Sequence, residues 1–278
     1  MRTTLRTTLL VGFLLAAGSV GGLPGYSALA QELSAGAGER DDSQAALKVI
    51  LDKAITAAGG KDKLNKLAKI TCRAKGVAVL PVGENERDIS FIASLQGLDH
   101  CCLDSMTLYN RDNAAVVVFQ PEYRDQEGWL DKPVDIKLGS TLVPGAGFGH
   151  ALYAVRLAQW LVPLQDEGFE RTALGELKVG ERQTVGIKFG HKNGLYLDLY
   201  FDKESGLPVK AQMHVPVKTD GVENVLLNEY FFDNYKEVGG ITHFTKFTVH
   251  RDGKKRLEVE LSEVAPQEQF DAKIFAKP

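Results

Sequence analysis

Leu195-Tyr196-Leu197-Asp198-Leu199-Tyr200-Phe201-Asp202-Lys203-Glu204-Ser205-Gly206-Leu207-Pro208-Val209-Lys210-Ala211-Gln212-Met213-His214-Val215 reads as one β-hairpin. Leu195, Leu197, Leu199 and Phe201 alternate with Tyr196, Asp198, Tyr200 and Asp202, a period of two with one apolar face. Asp202 to Gly206 is the turn: the Asp202 side chain can cap it, and Gly206 can take the positive φ of a bulged loop. The return strand alternates again, with Leu207, Val209, Ala211, Met213 and Val215 on one face. Pro208 stands at its start, where a missing N–H costs least.

Most of the downstream chain repeats this plan. Strands are expected over 168–179, 182–190, 195–202, 207–216, 224–235, 241–250 and 256–263, with turns at Gly180-Glu181, Thr219-Asp220-Gly221, Gly239-Gly240 and Asp252-Gly253. Upstream, strands begin at Lys69. Ile70, Cys72, Ala74 and Gly76 alternate, then Ile89, Phe91, Ala93 and Leu95, and Cys101 to Tyr109 forms a third strand. Ala114 to Phe119 is continuously apolar, Gly128-Trp129-Leu130 reads as a short strand, and the stretch to Gly145 as irregular. The tail Phe270, Ile274 and Phe275 can plug one end of the sheet.

Two helices interrupt the strands. After a cap at Asp42 or Ser43, Leu47, Ile50, Leu51, Ala54, Ile55 and Ala58 recur at helical spacing, and Gly59-Gly60 ends the run. A second helix spans Gly147 to Val162 and stops at Pro163. Phe148, Ala151, Ala154, Val155, Ala158, Leu161 and Val162 fill half of its wheel; His150, Tyr153, Arg156 and Gln159 share the other half with Leu152, Leu157 and Trp160. A helix this apolar is mostly buried. Leu152 and Trp160 are either core or the lining of a cavity between helix and sheet.

The fold class follows: mainly β (α+β), a large curved antiparallel sheet whose apolar face must be covered. Residues 1–30 read as a Sec-type signal peptide, with Arg2 and Arg6, an apolar run from Leu9 to Leu23, and cleavage after Ala28-Leu29-Ala30. Residues 31–41 are a polar, glycine-rich leader, expected to be disordered, and 42–278 a single domain. The expected location is the periplasm or beyond it, with no transmembrane segment in the mature chain. Without residues 1–30 the chain has 31 basic and 36 acidic residues, net −5, so nucleic acid is not an expected partner. Cys72, Cys101 and Cys102 are too few for a disulfide framework and read as structural; if 69–80 pairs with 86–97, Cys72 lies opposite position 93.

Catalytic signatures are missing. No Gly-x-Ser-x-Gly, His-Glu-x-x-His, Walker loop or Gly-x-Gly-x-x-Gly occurs, and the six histidines are scattered. His100 beside Cys101 and Cys102 lacks metal-ligand spacing. Asp198 and Asp202 share a face with tyrosines, a possible but unsupported carboxylate pair. The expectation is no enzyme, no metal and no cofactor.

Three stretches resemble the periplasmic lipoprotein-carrier superfamily (LolA/LolB-like proteins): Ala57 to Leu64, the Asp202-Lys203-Glu204-Ser205-Gly206-Leu207-Pro208 hairpin, and Asn234 to Ile241 with the closing Phe270 to Phe275. The resemblance implies a half-open β-barrel around a hydrophobic cavity lidded by helices, and a lipid or acyl-chain ligand, including lipoproteins. It implies that Phe91, Leu95, Val185, Ile187, Phe189, Leu197, Leu199, Phe201, Leu257, Val259 and Leu261 line that cavity, and that the helix Phe148 to Leu161, with Leu152 and Trp160, is the lid. Some carriers hold themselves closed through an arginine; Arg73 and Arg87 are the candidates here. Three functions compete: a soluble binder or carrier without catalysis, an envelope interaction or sensory module with a self-filled cavity and a protein partner, and a hydrolase with scattered residues.

Overall fold

The computed structural model describes residues 43–79, 86–98, 100–109, 134–138, 141–145, 148–191, 196–219 and 222–275. The expected signal peptide and leader, the run Ala114 to Phe119 and the strand expected at Gly128-Trp129-Leu130 lie outside them. All the described residues fall in one compact unit, Ser43–Pro278.

The strands are β1 (Lys69–Val79), β2 (Glu86–Gln96), β3 (His100–Tyr109), β4 (Val134–Leu138), β5 (Thr141–Gly145), β6 (Phe169–Val179), β7 (Arg182–His191), β8 (Tyr196–Asp202), β9 (Pro208–Thr219), β10 (Val222–Val238), β11 (Ile241–Arg251) and β12 (Lys254–Pro266). Ten of them form one antiparallel sheet in the order β3-β2-β1-β12-β11-β10-β9-β8-β7-β6. Every neighbour is a sequence neighbour except β1 and β12, whose pairing folds the N-terminal meander onto the C-terminal one. Among the described residues β3 and β6 remain edges and do not pair, so the barrel is half open. The stretch expected to be irregular before Gly145 holds a separate hairpin of β4 with β5.

Alternation makes one face of this sheet apolar across its width. Ala78, Leu257, Val249, Tyr230, Ala211, Leu199, Ile187 and Ala173 are successive register partners from β1 to β6. The opposite face is polar: Lys188 pairs with Asp198, Asp198 with Gln212, Gln212 with Glu229, and Glu229 with His250. One local irregularity keeps the aromatics inward. Asn234 has φ 54°, and its carbonyl accepts from Thr245 Oγ1 at 2.7 Å. Around it both strands step by three, so Phe232 and Tyr235 meet Phe247 and Phe244, with Phe232 stacked on Phe244 at 4.6 Å.

The turn of the organising hairpin forms as its residues require. Asp202 Oδ1 accepts from the backbone N–H of Glu204 and Ser205 and from Ser205 Oγ, at 3.0, 2.6 and 2.9 Å. Gly206 takes φ 77°. Burial raises the Asp202 pKa, the Ser205 and Glu204 hydrogen bonds lower it, and the net direction is down.

Helix α1 spans 43–57 and buries Leu47, Leu51, Ala54 and Ile55 against the sheet, with Ala58 just past its end. It is tied to strand ends along its length. Gln44 donates to the Arg171 carbonyl at 3.0 Å, Lys53 Nζ to the Lys203 carbonyl at 2.6 Å, and Thr242 N–H to the Ala58 carbonyl at 3.0 Å. Gly59 must be glycine, because a Cβ there would sit 2.3 Å from the Gly240 carbonyl oxygen. Helix α2 (Lys61–Leu64) and a 3-10 turn (Asn65–Ala68) lead into β1. Helix α3 is Phe148–Gln159, shorter than expected. Pro163 is not its stop; it lies in a separate 3-10 turn, Val162–Gln165. A last 3-10 turn, Ala272–Phe275, buries Phe275, with Phe270 edge-on to it at 5.3 Å.

Candidate ligand-binding face

The site is the apolar face of the sheet and the helix laid on it. Strand parity places the predicted lining residues there. Leu95, Ile187, Phe189, Leu197, Leu199, Phe201 and Val259 are buried members of a single core cluster. Phe91, Leu152, Trp160, Val185, Leu257 and Leu261 are half-buried and pack against it. The side chain of Phe148 lies outside the described residues. The expected residues therefore share one face, but in two groups. On β7 and β8 the set Ile187, Phe189, Leu199 and Phe201 is at most 1% exposed, so this half is filled by the protein's own side chains. Each such burial contributes about 1.5–3 kcal/mol to folding. The half-buried residues Phe91, Leu257 and Leu261 lie instead on β2 and β12.

Between those two strands runs β1, whose inward residues are small: Cys72, Ala74, Gly76 and Ala78. Ala74 pairs with Phe91 and Leu261, and Gly76 with Ile89 and Val259, so a shallow floor is walled by larger side chains. Gly76 permits the close approach of β1 and β12, since a Cβ there would lie 2.0 Å from the Glu258 carbonyl oxygen. Cys72 is buried, unbridged and opposite Ala93, as its spacing required.

α3 crosses β9, β10 and β11. Its polar residues are buried beside its apolar ones, Ala154, Val155, Leu157 and Ala158. Tyr153, Arg156 and Gln159 are buried, while Ala151, Leu152 and Trp160 are only partly so. Arg156 explains this. The residue is 2% exposed, and its guanidinium donates Nη2–H to the Leu67 carbonyl and Nε–H to the Gly97 carbonyl (3.3 Å) and lies 4.9 Å from the centre of the Trp160 ring. A cation on the helix thus satisfies two loop carbonyls at the ends of β1 and β2. Burial pushes the Tyr153 hydroxyl up to about 12, so it stays neutral. The arginines expected from sequence to close the structure do otherwise. Arg73 pairs with Glu263 at 3.0 Å on the exposed face, and Arg87 donates to its neighbour's carbonyl at 3.0 Å. Sequence reasoning passed over Arg156 because it sat on the polar half of a wheel. The available signal was a lone cation in a helix otherwise too apolar to expose that half.

Asp198 and Asp202 are each engaged with other partners. Asp198 accepts from Gln212 at 3.2 Å and faces Lys188 at 3.8 Å, and Asp202 is consumed by its turn. The tyrosines beside them cover glycines: Tyr200 lies over Gly186 and Tyr196 over Gly190. Among the described residues no group of three His, Cys, Asp or Glu side chains is placed to hold a metal ion. Among the described residues, hollows open on the polar face. One of about 570 Å³ is lined by Lys75, Asp88, Ser90, Glu258 and Glu260 among others; a second of about 300 Å³ includes Lys75, Asn234, Lys236 and Glu260.

The architecture is thus an open antiparallel half-barrel with two helices across its apolar face. No family model matches the chain, and no curated protein does. The chain is similar to the solved structure of a LolA superfamily protein from Nitrosomonas europaea, at 10% identity and a TM-score of 0.46, covering 83% of this chain and 97% of that one. It is similar to a putative outer membrane lipoprotein-sorting protein domain from Vibrio parahaemolyticus (12% identity, TM-score 0.43, covering 81% and 97%). It is also similar to a DUF1329 family protein from Desulfovibrio piger (11%, 0.45, covering 82% and 96%).

Proposed function

We propose that this chain is a non-catalytic binding or carrier protein for a lipid-like or acylated ligand, working outside the cytoplasm after removal of residues 1–30. One observation carries the reading. The apolar face of a sheet that does not close is covered by α3, and that helix is held at one end by the Arg156 hydrogen bonds to the Leu67 and Gly97 carbonyls. Hydrogen bonds from one side chain can break and reform without unpacking the sheet. The β1 floor between Phe91 and Leu257 offers apolar surface to a chain entering beneath the helix, at roughly 0.8 kcal/mol per buried methylene. No helix among the described residues is long and apolar enough to cross a membrane.

A second reading has its own observation. Ile187, Phe189, Leu199 and Phe201 are fully buried on the β7–β8 half, where Val185 is half-buried. If the β1 half is filled as tightly in solution, the fold is a scaffold for a protein partner in the cell envelope. Native mass spectrometry of the mature protein, purified gently from its own host and then extracted with solvent, separates the two. A stoichiometric acyl-bearing species lost on extraction supports the carrier. A clean protein mass with no uptake of an alkyl probe at micromolar concentration supports the scaffold.

A further inference from the structure

Resting on the carrier reading, we propose that the indole N–H of Trp160 is the donor that holds the ligand's acyl carbonyl. The ligand is then a fatty chain carried as an ester or amide, and not a bare hydrocarbon. The observation is an orphaned donor at the margin of the covered face. Trp160 as a residue is half-buried, yet its Nε1 is sealed from solvent and has no hydrogen-bond partner among the described residues. The exposed part of the ring is therefore not its polar part, and the N–H is turned inward. An indole nitrogen can only donate. A buried tryptophan N–H usually finds an acceptor, and one left without it is costly, so it is a ready partner for a carbonyl brought in by a ligand.

The indole is held in place from two sides. Its backbone N–H donates to the Arg156 carbonyl at 2.8 Å, which continues the last turn of α3. Its ring lies 4.9 Å from the Arg156 guanidinium, the group that reaches the Leu67 carbonyl just before β1 and the Gly97 carbonyl just after β2. The ring thus stands where the end of α3 meets the start of β1. Leu98, Leu152 and Trp160 all pack against the core cluster and all are half-buried, so these residues keep accessible apolar surface. From Ile70 the inward residues of β1 lead to Ala74, Gly76 and Ala78, beside the half-buried Phe91, Leu257 and Leu261. Ala74 lies about 13 Å along the strand from Ile70. A carbonyl at Trp160 and a tail along β1 make one extended ligand. A carbonyl oxygen accepts the N–H without bringing a charge into an apolar site, whereas a hydrocarbon leaves the donor unpaired.

The test is the NMR signal of the indole N–H in the mature chain, isotope-labelled at tryptophan, with methyl palmitate or heptadecane added from cyclodextrin. Trp160→Phe, which keeps an aromatic ring beside Arg156, separates the Trp160 signal from that of Trp129. Methyl palmitate is expected to move the Trp160 N–H downfield, as a new hydrogen bond does, and heptadecane to leave it in place. In displacement of a neutral fluorescent alkyl probe, methyl palmitate is expected to bind about fivefold more tightly than heptadecane, and Trp160→Phe to remove that advantage. A tryptophan that only fills space predicts no such signal. An N–H that both compounds move alike or neither moves, or an ester preference that survives in Trp160→Phe, would overturn the donor while leaving alkyl binding intact. The signal is read on the unaltered chain, so a variant that fails to fold does not remove the test. If neither compound displaces the probe and the probe itself does not bind, the carrier reading falls and this site falls with it.

Discussion

The Arg156 guanidinium on α3 donates to the backbone carbonyl of Leu67, 89 residues away, and this contact joins the helix to the loop that opens β1. Both of these acceptors, Leu67 and Gly97, are main-chain groups. Arg156→Met leaves both carbonyls without this donor. It should lower stability by about 2–4 kcal/mol and speed release of a bound alkyl probe. Arg156→Lys, with a point charge in place of a fork, should fall between. Urea midpoints and stopped-flow release measure both effects. An unchanged release rate in a destabilised variant would make Arg156 a packing residue and not a closure.

The Asp202 turn sets the register of the β8–β9 hairpin. Asp202→Ala removes the acceptor of three hydrogen bonds, and about 1 kcal/mol of stability should go with it. Gly206→Ala, at φ 77°, should cost a similar amount through backbone strain. In a chain of this size either change lowers Tm by about 2–4 °C, readable by circular dichroism.

Tyr200 and Gly186 are register partners on β8 and β7, and the ring lies where a side chain at position 186 would be. A Cβ at Gly186 would stand 2.7 Å from Tyr200 Cε1 and 2.9 Å from Leu174 Cβ. Gly186→Ala and Tyr200→Ala should each destabilise, the second by about 2–3 kcal/mol. The double variant should lose clearly less than the two together, because the ring that the added methyl group strikes is gone. Additive losses in a double-mutant cycle would show that the ring does not cover this glycine.

The Lys246–Glu258 pair predicts the pH profile of stability. The Lys246 hydrogen bond, at 2.6 Å, and that of Lys255 hold the Glu258 carboxyl below its ordinary 4.5; the same bond from Glu258 raises Lys246 above 10.5. A carboxylate with a lowered folded pKa contributes stability above 4.5 that is lost as pH falls through the folded value. An ammonium with a raised one contributes below 10.5 and loses it as pH rises through the folded value. Glu258→Gln should therefore flatten both limbs of a plot of urea midpoint against pH, while leaving the slope of each unfolding curve unchanged.

Much of this fold was legible because alternation and turn chemistry are local. The strands on either side of Gly206, Gly180 and Gly239-Gly240 fall where period two and glycine put them, and even the Cys72–Ala93 register follows from hairpin arithmetic. Parity also grouped the lining residues onto one face. What it did not show is which positions on that face are sealed. Ile187 and Phe91 have the same pattern in sequence, yet one is fully buried and the other only partly, because coverage depends on where α1 and α3 cross. Arg156 escaped notice for a related reason. Its acceptors are carbonyls of Leu67 and Gly97, and every residue has a carbonyl, so no residue type marks them. The three-residue step at Asn234 was hidden because a positive φ at one asparagine shifts strand phase without any change in composition.

The central claim is that the apolar face takes an acyl chain between the sheet and α3. Photocrosslinking the mature protein with a diazirine-bearing palmitate, followed by peptide mapping, tests it most directly. The account predicts saturable adducts on peptides containing Phe91, Leu152, Trp160 and Leu257, competed by unlabelled palmitate and reduced in Arg156→Met. Adducts confined to the polar-face hollow around Lys75, Asp88 and Glu260, or labelling that does not saturate, would contradict it.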